Sequence, residues 1–459
     1  MIPVVTPEQM GAIDAAADEP VDVLVERAGA AVARAALTLL GGGYGRRVLV
    51  VAGPGNNGAD GRVAARRLGE RGVRCAVVEA LDLPGPLPNV DLVIDAAFGT
   101  GFRGGWSFPD VGDTPVLAVD VPTGLDAATG EAAPATPVAV ATVTFAATKP
   151  GHHFGDGPSH CGALGVADIG LEVAEPYASV VESADVAVWI PTRPSDSHKW
   201  REALRVVAGS PGMTGAAHLV AAGAQRAGAS LVTLSSPGID ADHPVETIGR
   251  RVPPFDWFDE VLADLHRFRA LVIGPGLGRE DHTVPSIVRT VTDAVVPVVV
   301  DGDGLFALVW NEAGTPAFLA DREVPTILTP HDGEYGTLMG SRPGPDRVAA
   351  ARALVDVSGA TVLLKGPTTV IAAPGETPLL VASGDQRLAT AGSGDVLSGM
   401  IGALLARGMP AHRAAAAGAH IHGLAVRACA RSGVVASDLV AAVPGVFDEI
   451  DAIAASAHG

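Results

Sequence analysis

The sequence predicts an α/β fold divided between two domains. Its 459 residues exceed what one ordinary hydrophobic core accommodates, so two domains are expected. Short apolar runs that end in glycine turns alternate with helical patterns along both halves, as in parallel βαβ sheets. The pattern loosens between about residues 173 and 197. We therefore predict a first domain over residues 1–184 and a second over residues 185–459.

The first half of the chain alternates helical patterns with short apolar runs. Helical periodicity runs from Pro7 to Leu40 and again from Ala59 to Arg71. Five apolar runs are short enough to be the buried strands of a parallel sheet, and the second helix lies between the first two of them. The predicted strands are Val48–Ala52, Cys75–Glu79, Leu92–Ala96, Val116–Val121 and Thr142–Ala146.

The second half repeats the alternation, with an Ala-rich helix predicted at Gly215–Ala227. The segment VLLKGPTTVIA predicts a hairpin whose loop is Gly366–Thr368. Further strands are predicted at Arg205–Ala208, Leu231–Leu234, Ala270–Ile273, Val298–Val300, Thr326–Leu328 and Thr361–Leu364. Three predicted helices close the chain, at Val396–Ala406, Arg413–Ala430 and Asp438–Ile450.

Composition and charge narrow the classes of partner. Lys+Arg 32 against Asp+Glu 51 gives a net charge of −19, which argues against a nucleic-acid or anionic-membrane surface. Three scattered cysteines form neither a disulfide framework nor a CxxC pair, and the His152–His153 and His420-x-His422 pairs lack further ligands at zinc spacing. Acidic residues interrupt the N-terminal stretch, and no apolar run reaches membrane-spanning length. We expect a soluble, cytoplasmic homo-oligomer that acts on small molecules, without nucleic acid or membrane.

The first glycine turn has two interpretations. GPGNNG, from Gly53 to Gly58, formally matches the dinucleotide pattern GxGxxG, and Glu79 ends the next strand where a ribose-binding acid would lie. No set of residues for hydride transfer accompanies this turn, which argues against a dehydrogenase. Asn56, Asn57 and Asp60 either form a structural Asx-turn or place polar groups at the carboxyl edge of the sheet.

Acidic and hydroxyl side chains follow the next strands. Asp95 ends one predicted strand, and Asp120 and Thr123 follow another. If these strands are parallel neighbours, the three side chains converge with Asn57 at one edge of the sheet. Clustered carboxylates repel each other unless a cation or a shared proton relieves them. Ligands that are all oxygen suit a hard cation rather than zinc.

Several motifs of the first half together resemble a known family. GPGNNGADG, DAAFGTGFRGG, AVDVPTGLDAATG and TFAATKPG, preceded by EQMGAIDAAA, closely resemble the NAD(P)H-hydrate epimerase domain. The resemblance implies a Rossmann-like, doubly wound domain that interconverts the R and S hydrates of NADH and NADPH. It implies an acid/base role for Asp120 with Arg103 nearby, and K⁺ held by Asn57, Asp95 and Thr123, where Thr123 replaces the commoner Ser. Asp120 and two loops would line the hydrate; the loop residues are Asn56, Asn57, Gly58, Ala59, Asp60, Gly99, Thr100, Gly101, Phe102, Arg103, Gly104 and Gly105.

A second series of glycine-rich and polar motifs follows the strands of the second half. GSPGMTGAA leads into the Ala-rich helix, where close packing alone explains most of the small residues. Asp301 and Asp303 follow one strand, and His331 follows another with Glu334. Taken singly, each is more simply a solvated turn or surface group. Lys365 either contacts a phosphate or stays solvated.

These motifs also resemble a family. In order from about Ser197 to the end, GSPGMTGAA, GPGLG, LTPHDGE, LKGPTTVI and ATAGSGDVLSG resemble the ADP-dependent NAD(P)H-hydrate dehydratase domain, which has a ribokinase-like α/β fold. The resemblance implies dehydration of the S-hydrate at the expense of ADP or ATP with Mg²⁺, giving AMP or ADP and phosphate. The chain departs from the family pattern in SHKWREA and SGDQRLATAG. The hydrate would contact Ala216, Gly276, His331 and Asp395, and the adenine nucleotide would contact Lys365, Gly366, Pro367, Thr368, Thr369 and Gly394.

One residue of the last motif raises a question of charge. ATAGSGDVLSG predicts a helix N-terminus, where free amides and the helix dipole favour an anion, yet Asp395 lies within it. Asp395 could cap the helix, as Ser393 could. It could instead be the base that takes the proton of the hydrate hydroxyl as that oxygen attacks the terminal phosphoryl group.

The whole pattern predicts a bifunctional metabolite-repair enzyme with an isomerase and a lyase activity. The alternative is a ribokinase-like small-molecule kinase fused to a non-catalytic, cofactor-binding Rossmann domain. The product separates the two hypotheses: reduced cofactor with free phosphate, or a stable phosphorylated compound.

Overall fold

A computed structural model describes residues 1–83, 87–102, 104–310 and 314–456. Two compact units divide the chain, residues 2–179 and residues 180–459 with Met1. We call them the first unit and the second unit. The division falls at Ser179, within the stretch where the sequence pattern loosens.

The first unit is built on parallel strands with helices between them. Its strands are β1 (Ile2–Val4), β2 (Arg47–Ala52), β3 (Arg74–Glu79), β4 (Leu92–Ala96), β5 (Val116–Val119), β6 (Ala141–Phe145) and β7 (Ala163–Ala167), and β8 (Ala178–Val180) follows. Its helices are α1 (Pro7–Ala15), α2 (Val21–Leu40), α3 (Asn56–Gly69), α4 (Pro150–His153) and α5 (Gly157–His160). Six strands form one sheet in the order β3-β2-β4-β5-β6-β7, and every neighbouring pair is parallel.

Alternating side chains of β2 divide the core of the first unit into two layers. Val48 and Val50 are fully buried in the layer that holds the apolar side chains of α2 and α3. Leu49 and Val51 are fully buried in the layer on the other face. Burial of both faces is the arrangement expected of a parallel sheet.

The sheet order of the first unit reverses between β2 and β4, which places a crevice at the carboxyl ends of these strands. The turns that follow the two strands approach each other closely. A Cβ atom on Gly53 would lie 1.7 Å from the carbonyl oxygen of Ala97, and one on Gly58 would lie 1.9 Å from that of Gly53. Only glycine permits this approach, so the GPGNNG turn is required by the backbone at the start of α3.

The second unit combines a larger sheet with more helices. Its strands are β9 (Ala203–Val207), β10 (Leu231–Ser235), β11 (Ile248–Gly249), β12 (Ala270–Ile273), β13 (Val298–Val300), β14 (Thr326–Leu328), β15 (Thr361–Leu364), β16 (Thr369–Ala372) and β17 (Leu379–Val381). Its helices are α6 (Ser183–Trp189), α7 (Thr214–Arg226), α8 (Phe258–Leu262), α9 (Thr283–Asp293), α10 (Asp303–Ala307), α11 (Asp332–Met339), α12 (Arg347–Ser358), α13 (Ser393–Ala406), α14 (Ala411–Ala428) and α15 (Ala436–Ser456).

The strands of the second unit follow the order β17-β16-β15-β14-β13-β12-β9-β10-β11. They are parallel from β15 to β11, and β15, β16 and β17 pair in antiparallel fashion, which confirms the predicted hairpin. The order reverses between β9 and β12, so this sheet also has a crevice. Small residues let α7 and α13 pack closely, because a Cβ atom on Gly223 would lie 2.6 Å from the carbonyl oxygen of Val396.

The structure corrects the sequence predictions at several points of the fold. The helix predicted over Pro7 to Leu40 is two helices, and Pro20 directly precedes the second, since the residue before a proline avoids the helical conformation. The loosened stretch holds β8 and α6. Asn57 lies in the first turn of α3 with its side-chain amide unbonded, so an Asx-turn does not explain it. The described helices include none with the length and apolar character that a bilayer crossing needs.

Candidate active sites

A cavity of about 460 Å³ lies at the crevice of the first unit. Parts of α1 and α2, the start of α3 and the loop after β4 form its walls, together with Lys149. Eight of the predicted residues line it: Asn56, Asn57, Asp60, Gly99, Thr100, Gly101, Phe102 and Asp120. Of the predicted residues that the structure describes in this unit, those outside the lining are Gly58, Ala59, Asp95, Gly104, Gly105 and Thr123. Arg103 lies outside the described residues.

Asp120 follows β5 with a φ of 65°, in the left-handed region that non-glycine residues rarely adopt. Its carboxylate accepts hydrogen bonds from Lys149 Nζ at 2.6 Å, Thr144 Oγ1 at 3.0 Å and the Thr100 amide at 3.2 Å. Burial raises the pKa of Asp120, but the charge of Lys149 and these hydrogen bonds outweigh it and hold the pKa below its ordinary value. Asp120 is therefore ionised at neutral pH in the wall of the cavity.

Lys149 was not among the predicted site residues, although the motif TFAATKPG contains it. Its side chain is 1% exposed, and Nζ also donates to Thr144 Oγ1 at 2.7 Å and to the Ala147 carbonyl at 3.3 Å. His152 Nδ1 accepts a hydrogen bond from the Lys149 amide at 3.1 Å. The other ring nitrogen, Nε2, lies 2.9 Å from the Asp120 carbonyl oxygen and so donates to it. Lys149 thus binds the side-chain carboxylate of Asp120, and His152 binds its backbone carbonyl oxygen.

Buried oxygen atoms gather behind this wall. The fully buried Asp95 accepts from the Thr123 amide and from Thr123 Oγ1, both at 2.7 Å. Thr123 Oγ1 also lies 3.0 Å from the Phe98 carbonyl oxygen. Burial raises the pKa of Asp95 to about 6, although these hydrogen bonds lower it. The side-chain nitrogen and oxygen of Asn57 are buried without a hydrogen-bond partner among the described residues. The predicted convergence of Asp95 and Thr123 is thus observed as direct contact.

Two further carboxyl groups of the first unit line the cavity. Asp60, on α3, is 6% exposed and makes no hydrogen bond through its side chain within the described part of the chain. Burial raises its pKa to about 8, and the charges of Asp120 and Asp14 contribute. Asp14, on α1, is exposed at the rim of the cavity. Partial burial and the charge of Asp120 raise its pKa, and together they outweigh the charge of Lys149, which lowers it.

In the second unit, Asp395 lies in the first turn of α13. The N-cap of this helix is Gly392, with a φ of 84°, and no side chain caps it. Ser393 Oγ donates instead to the Leu388 carbonyl at 2.7 Å. The capping interpretation of Ser393 and Asp395 was therefore wrong. Burial raises the pKa of Asp395 to about 7; the charges of Asp301 and Asp303 raise it further, while that of Lys365 lowers it.

Asp301 forms the centre of a polar cluster beside α13. Its carboxylate accepts from Lys365 Nζ at 3.0 Å and from Ser398 Oγ at 2.5 Å. Burial raises the pKa of Asp301, but Lys365 and the hydrogen bonds outweigh it and hold the pKa below its ordinary value. A Cβ atom on Gly394 would lie 3.7 Å from Lys365 Nζ and 3.8 Å from Asp301 Oδ2. The GSGD turn and the β15–β16 hairpin therefore meet at Lys365.

Glu334 connects the predicted residue His331 to this cluster. His331 is the N-cap of α11, where its Nδ1 accepts from the amides of Gly333 and Glu334, and its side chain is 60% exposed. The Glu334 carboxylate accepts from the His331 amide at 2.8 Å and lies 3.5 Å from Lys365 Nζ. Elsewhere in the unit, Ala216 and Gly276 face each other, since a Cβ atom on Gly276 would lie 2.9 Å from Ala216 Cβ.

The remaining predicted residues, Gly366, Pro367, Thr368 and Thr369, continue from Lys365 through the hairpin turn into β16. Arg347 supports this turn, because its Nη2 donates to the Lys365 carbonyl at 2.8 Å. A Cβ atom on Gly366 would lie 2.8 Å from the same nitrogen. No three His, Cys, Asp or Glu side chains converge as a metal site in the described part of either unit.

Lysine is rare in this chain, and its placement identifies both sites. The 459 residues include only Lys149, Lys199 and Lys365. Lys149 and Lys365 pair with the buried carboxylates Asp120 and Asp301, and Lys199 is exposed. The scarcity of lysine, together with its position three residues after the end of a predicted strand, is the sequence signal that could have identified Lys149.

Two family models match the chain. The model described as NAD(P)H-hydrate dehydratase matches residues 204–443, which lie within the second unit. The model described as YjeF-related protein N-terminus matches residues 21–85 and 78–151, which lie within the first unit. Each of the two sites thus falls within its own family match.

Relatives that join both parts on one chain decide the family. The bifunctional NAD(P)H-hydrate repair enzyme Nnr of Mycobacterium tuberculosis is 39% identical over 406 residues, which cover 82% of each chain. The enzyme of the same name from Moorella thermoacetica is 34% identical and is aligned over 99% of each chain. The chain belongs to this family of bifunctional NAD(P)H-hydrate repair enzymes. The family predicted from the motifs of both halves is confirmed.

Solved structures extend the comparison of this repair-enzyme family to the fold. The ADP/ATP-dependent NAD(P)H-hydrate dehydratase from Bacillus subtilis, co-crystallised with ATP and Mg²⁺, is 26% identical, with a TM-score of 0.51 over 60% of this chain and 99% of that chain. A ribokinase-like superfamily protein from Enterococcus faecalis is 19% identical, with a TM-score of 0.51 over 61% of this chain and 98% of that chain. The predicted α/β fold class is thereby confirmed.

Proposed function

We propose that the first unit epimerises the R and S hydrates of NADH and NADPH, and that the second unit dehydrates the S-hydrate at the expense of ADP or ATP. One observation carries this division: each unit has its own polar site at the carboxyl edge of its own sheet, built around a lysine–aspartate pair. The two family models fall on the same two units. The expected domains, residues 1–184 and 185–459, have nearly these boundaries.

In the first unit, the 460 Å³ cavity would hold the hydrated nicotinamide ring. The hydroxyl carbon of the hydrate is bonded to the ring nitrogen, because water adds to an enamine at that carbon. In the route we propose, the oxygen leaves as water and water returns on the other face of the ring. Asp120, held ionised by Lys149, would take a proton from the water that returns, and its negative charge would stabilise positive charge on the ring.

Potassium fits the oxygen cluster behind the cavity. Asn57 presents a buried side-chain oxygen without a partner among the described residues, Asp95 presents a buried carboxylate, and Thr123 presents a hydroxyl. These are hard oxygen ligands. Bound there, K⁺ would supply a fixed positive charge that neutralises Asp95. Through their bonds to the ion, Asn57 would anchor the start of α3 and Thr123 would anchor the loop after β5.

In the second unit, Asp395 would take the proton of the hydrate hydroxyl as that oxygen attacks the terminal phosphoryl group of the nucleotide. Its pKa of about 7 suits a base that works near neutral pH. The amides of Gly392 to Gly394, at the N-terminus of α13, would accept the phosphate charge. Loss of phosphate from the ring, together with a proton from the neighbouring ring carbon, would then restore NAD(P)H. Mg²⁺ would enter with the nucleotide, whose phosphates supply ligands.

Nucleotide contacts would come from both sides of Lys365. Residues Lys365 to Thr368 form the hairpin turn, Thr369 begins β16, and Gly394 lies close to Lys365 Nζ. Ala216, Gly276 and His331 would contact the hydrate. His331 is exposed and tied through Glu334 to Lys365, which places it next to the same cluster.

The full-length protein tests this function directly. It is incubated with a mixture of R and S hydrates and ADP or ATP, and reduced-nicotinamide absorbance, free phosphate and both epimers are followed. We expect complete recovery of reduced cofactor with one phosphate released for each hydrate consumed. Formation of a stable phosphorylated compound without recovery of absorbance would instead identify a kinase. The variant Asp120→Asn should recover only the S-hydrate rapidly, leaving the R-hydrate to spontaneous epimerisation.

A further inference from the structure

Asp60 is a buried carboxyl group in the proposed epimerase site to which the chemistry above gives no role beyond contact. Its side chain lines the cavity, is 6% exposed and makes no hydrogen bond within the described part of the chain. Because no described residue binds its carboxyl group, a ligand or water in the cavity is the partner that remains for it.

The charges around Asp60 are arranged to keep it neutral. Among the described residues, the titratable groups whose charges act on it are Asp120, which follows β5, and Asp14, on α1. Lys149 is already bonded to Asp120 at 2.6 Å. The two arginines that follow Asp60 most closely on α3 form ion pairs with other residues. Arg62 pairs with Glu79, and Arg66 pairs with Glu26. Burial and two negative neighbours therefore raise the pKa of Asp60 to about 8.

We propose, on the basis of the proposed epimerase function, that Asp60 is the proton donor of that reaction and that Asp120 is its ionised counterpart. One cavity then holds a carboxylic acid and a carboxylate whose environments differ, the arrangement by which two like side chains divide acid and base roles. The hydroxyl of the hydrate is a poor leaving group until it is protonated. A neutral carboxyl group supplies that proton at physiological pH.

The reaction balances with these two groups and water. Asp60 gives its proton to the ring hydroxyl, the carbon–oxygen bond breaks with its electron pair on oxygen, and water leaves. The lone pair of the ring nitrogen forms a carbon–nitrogen double bond, so the ring becomes a cation beside the Asp120 carboxylate. Water then attacks the opposite face, the double-bond pair returns to nitrogen, and Asp120 takes the proton. Exchange with solvent restores the proton of Asp60 and the charge of Asp120.

The test is the pH dependence of epimerisation by the full-length protein. R-to-S conversion is measured without nucleotide from pH 5 to 10, with the rate in the absence of protein subtracted. For the parent, kcat/KM should fall as pH rises through about 8, because Asp60 loses its proton. Asp60→Asn should lower kcat by about 10² to 10⁴-fold, and the residual rate should lack this alkaline decline. Its KM should change far less, since the amide keeps the shape of the side chain.

Asp14→Asn is the matched control, because it removes another carboxyl group of the same cavity that stays exposed at the rim. It should remain active with its alkaline decline moved to lower pH, since one of the charges that raise the pKa of Asp60 is gone. Dehydration of S-hydrate by each variant shows that the second unit is folded. Thermal unfolding checks the first unit, where Asp60→Asn should raise the Tm more at pH 9 than at pH 5, because at pH 9 the parent carries an ionised, buried Asp60 that the variant lacks.

The outcomes separate this inference from the function on which it rests. A parent protein without epimerase activity overturns the proposed function. An active parent whose Asp60→Asn variant epimerises at a similar rate, or keeps the alkaline decline, overturns only the role of Asp60. Equal losses in Asp60→Asn and Asp14→Asn would also overturn it, because charge in the cavity would then matter rather than a specific proton.

Discussion

Each of the two units contains one aspartate that is paired with a lysine and a second aspartate that is not. The first unit pairs Asp120 with Lys149 at 2.6 Å and leaves Asp60 unpaired. The second pairs Asp301 with Lys365 at 3.0 Å and leaves Asp395 unpaired. In each unit the paired aspartate is ionised, and the other carboxyl group has a pKa near neutrality, about 8 in the first unit and about 7 in the second.

The difference lies in which member of the pair is more deeply buried. In the first unit it is the lysine, which is 1% exposed, while Asp120 lines the cavity. In the second unit it is the aspartate, since Asp301 is 4% exposed and its lysine is 22% exposed. The paired carboxylate of the first unit can therefore contact a ligand. That of the second unit serves as a fixed charge behind the GSGD turn. The comparison teaches that a lysine–aspartate pair can set the charge of a site without itself being the reacting group.

The largest expected effect is at Asp395. Asp395→Asn removes charge and basicity with little change in shape, so dehydration should fall by about two to four orders of magnitude. Epimerisation should be unchanged. For the parent, kcat/KM for dehydration should rise with pH through about 7, because the base must lose its proton. The measurement is nucleotide-dependent recovery of reduced cofactor, paired with R-to-S conversion in the absence of nucleotide.

Asp303→Asn provides the control for that experiment. Asp303 is a neighbouring carboxylate, but the Gly278 amide and Arg279 bind it, at 3.0 Å and 2.7 Å. Its replacement should preserve activity and lower the pH at which dehydration begins, because one charge that raises the pKa of Asp395 is removed. A folded Asp395→Asn protein with parental dehydration would return Asp395 to a structural role.

An intermediate effect is expected at the two lysines. Lys149→Met leaves Asp120 buried without its cation, which should lower the free energy of unfolding of the first unit by about 3 to 5 kcal/mol at pH 7. Lys365→Met should cost less, because Lys365 is more exposed and Ser398 still donates to Asp301. Denaturant unfolding of both variants measures the difference. The exposed Lys199→Met should stay within about 0.5 kcal/mol of the parent. Equal losses at Lys149 and Lys365 would remove the distinction between the two pairs.

The smallest effect is expected at Thr123 in the proposed potassium site. Thr123→Ser keeps the hydroxyl that donates to Asp95 and removes one methyl group, about 0.8 kcal/mol of burial. K⁺ should raise the Tm of this variant and of the parent more than Li⁺ does. Thr123→Val keeps the shape but removes the hydroxyl, and leaving Asp95 without that donor should cost about 1 to 3 kcal/mol. If K⁺ stabilises Thr123→Val and Asp95→Asn as it does the parent, the cation binds elsewhere.

The sequence predicted the strands that carry these sites because their apolar runs are short and end at glycine turns. The contact of Asp95 with Thr123 also followed, since parallel neighbours bring their carboxyl ends together. The strand β7 was missed because its residues Ala163–Ala167 are small and largely exposed or half-buried, so no apolar run marks it. The boundaries at Pro20 depended on a local conformational preference rather than on periodicity.

The pairings across long stretches of sequence could not be predicted in the same way. Lys149 meets Asp120 and Lys365 meets Asp301 only once the strands between them are arranged in order. The burial of Asp60 and the absence of a side-chain cap on α13 also depend on packing around a helix start, which periodicity does not report. The motifs predicted the type of residue at each strand end, whereas the fold determines which residue it contacts.

The scarcity of lysine gives this chain one aspartate-paired lysine in each unit, which can serve as a native reporter. An amine-reactive reagent applied to the folded protein should label Lys199, which is exposed, and spare Lys149, which is 1% exposed and bonded through Nζ. Lys365 should react slowly, as its ammonium group is bound by Asp301 and Glu334. Because Lys149 belongs to the first unit and Lys365 to the second, peptide mapping after brief labelling would time the opening of each unit separately, on the unmodified sequence and without an added probe.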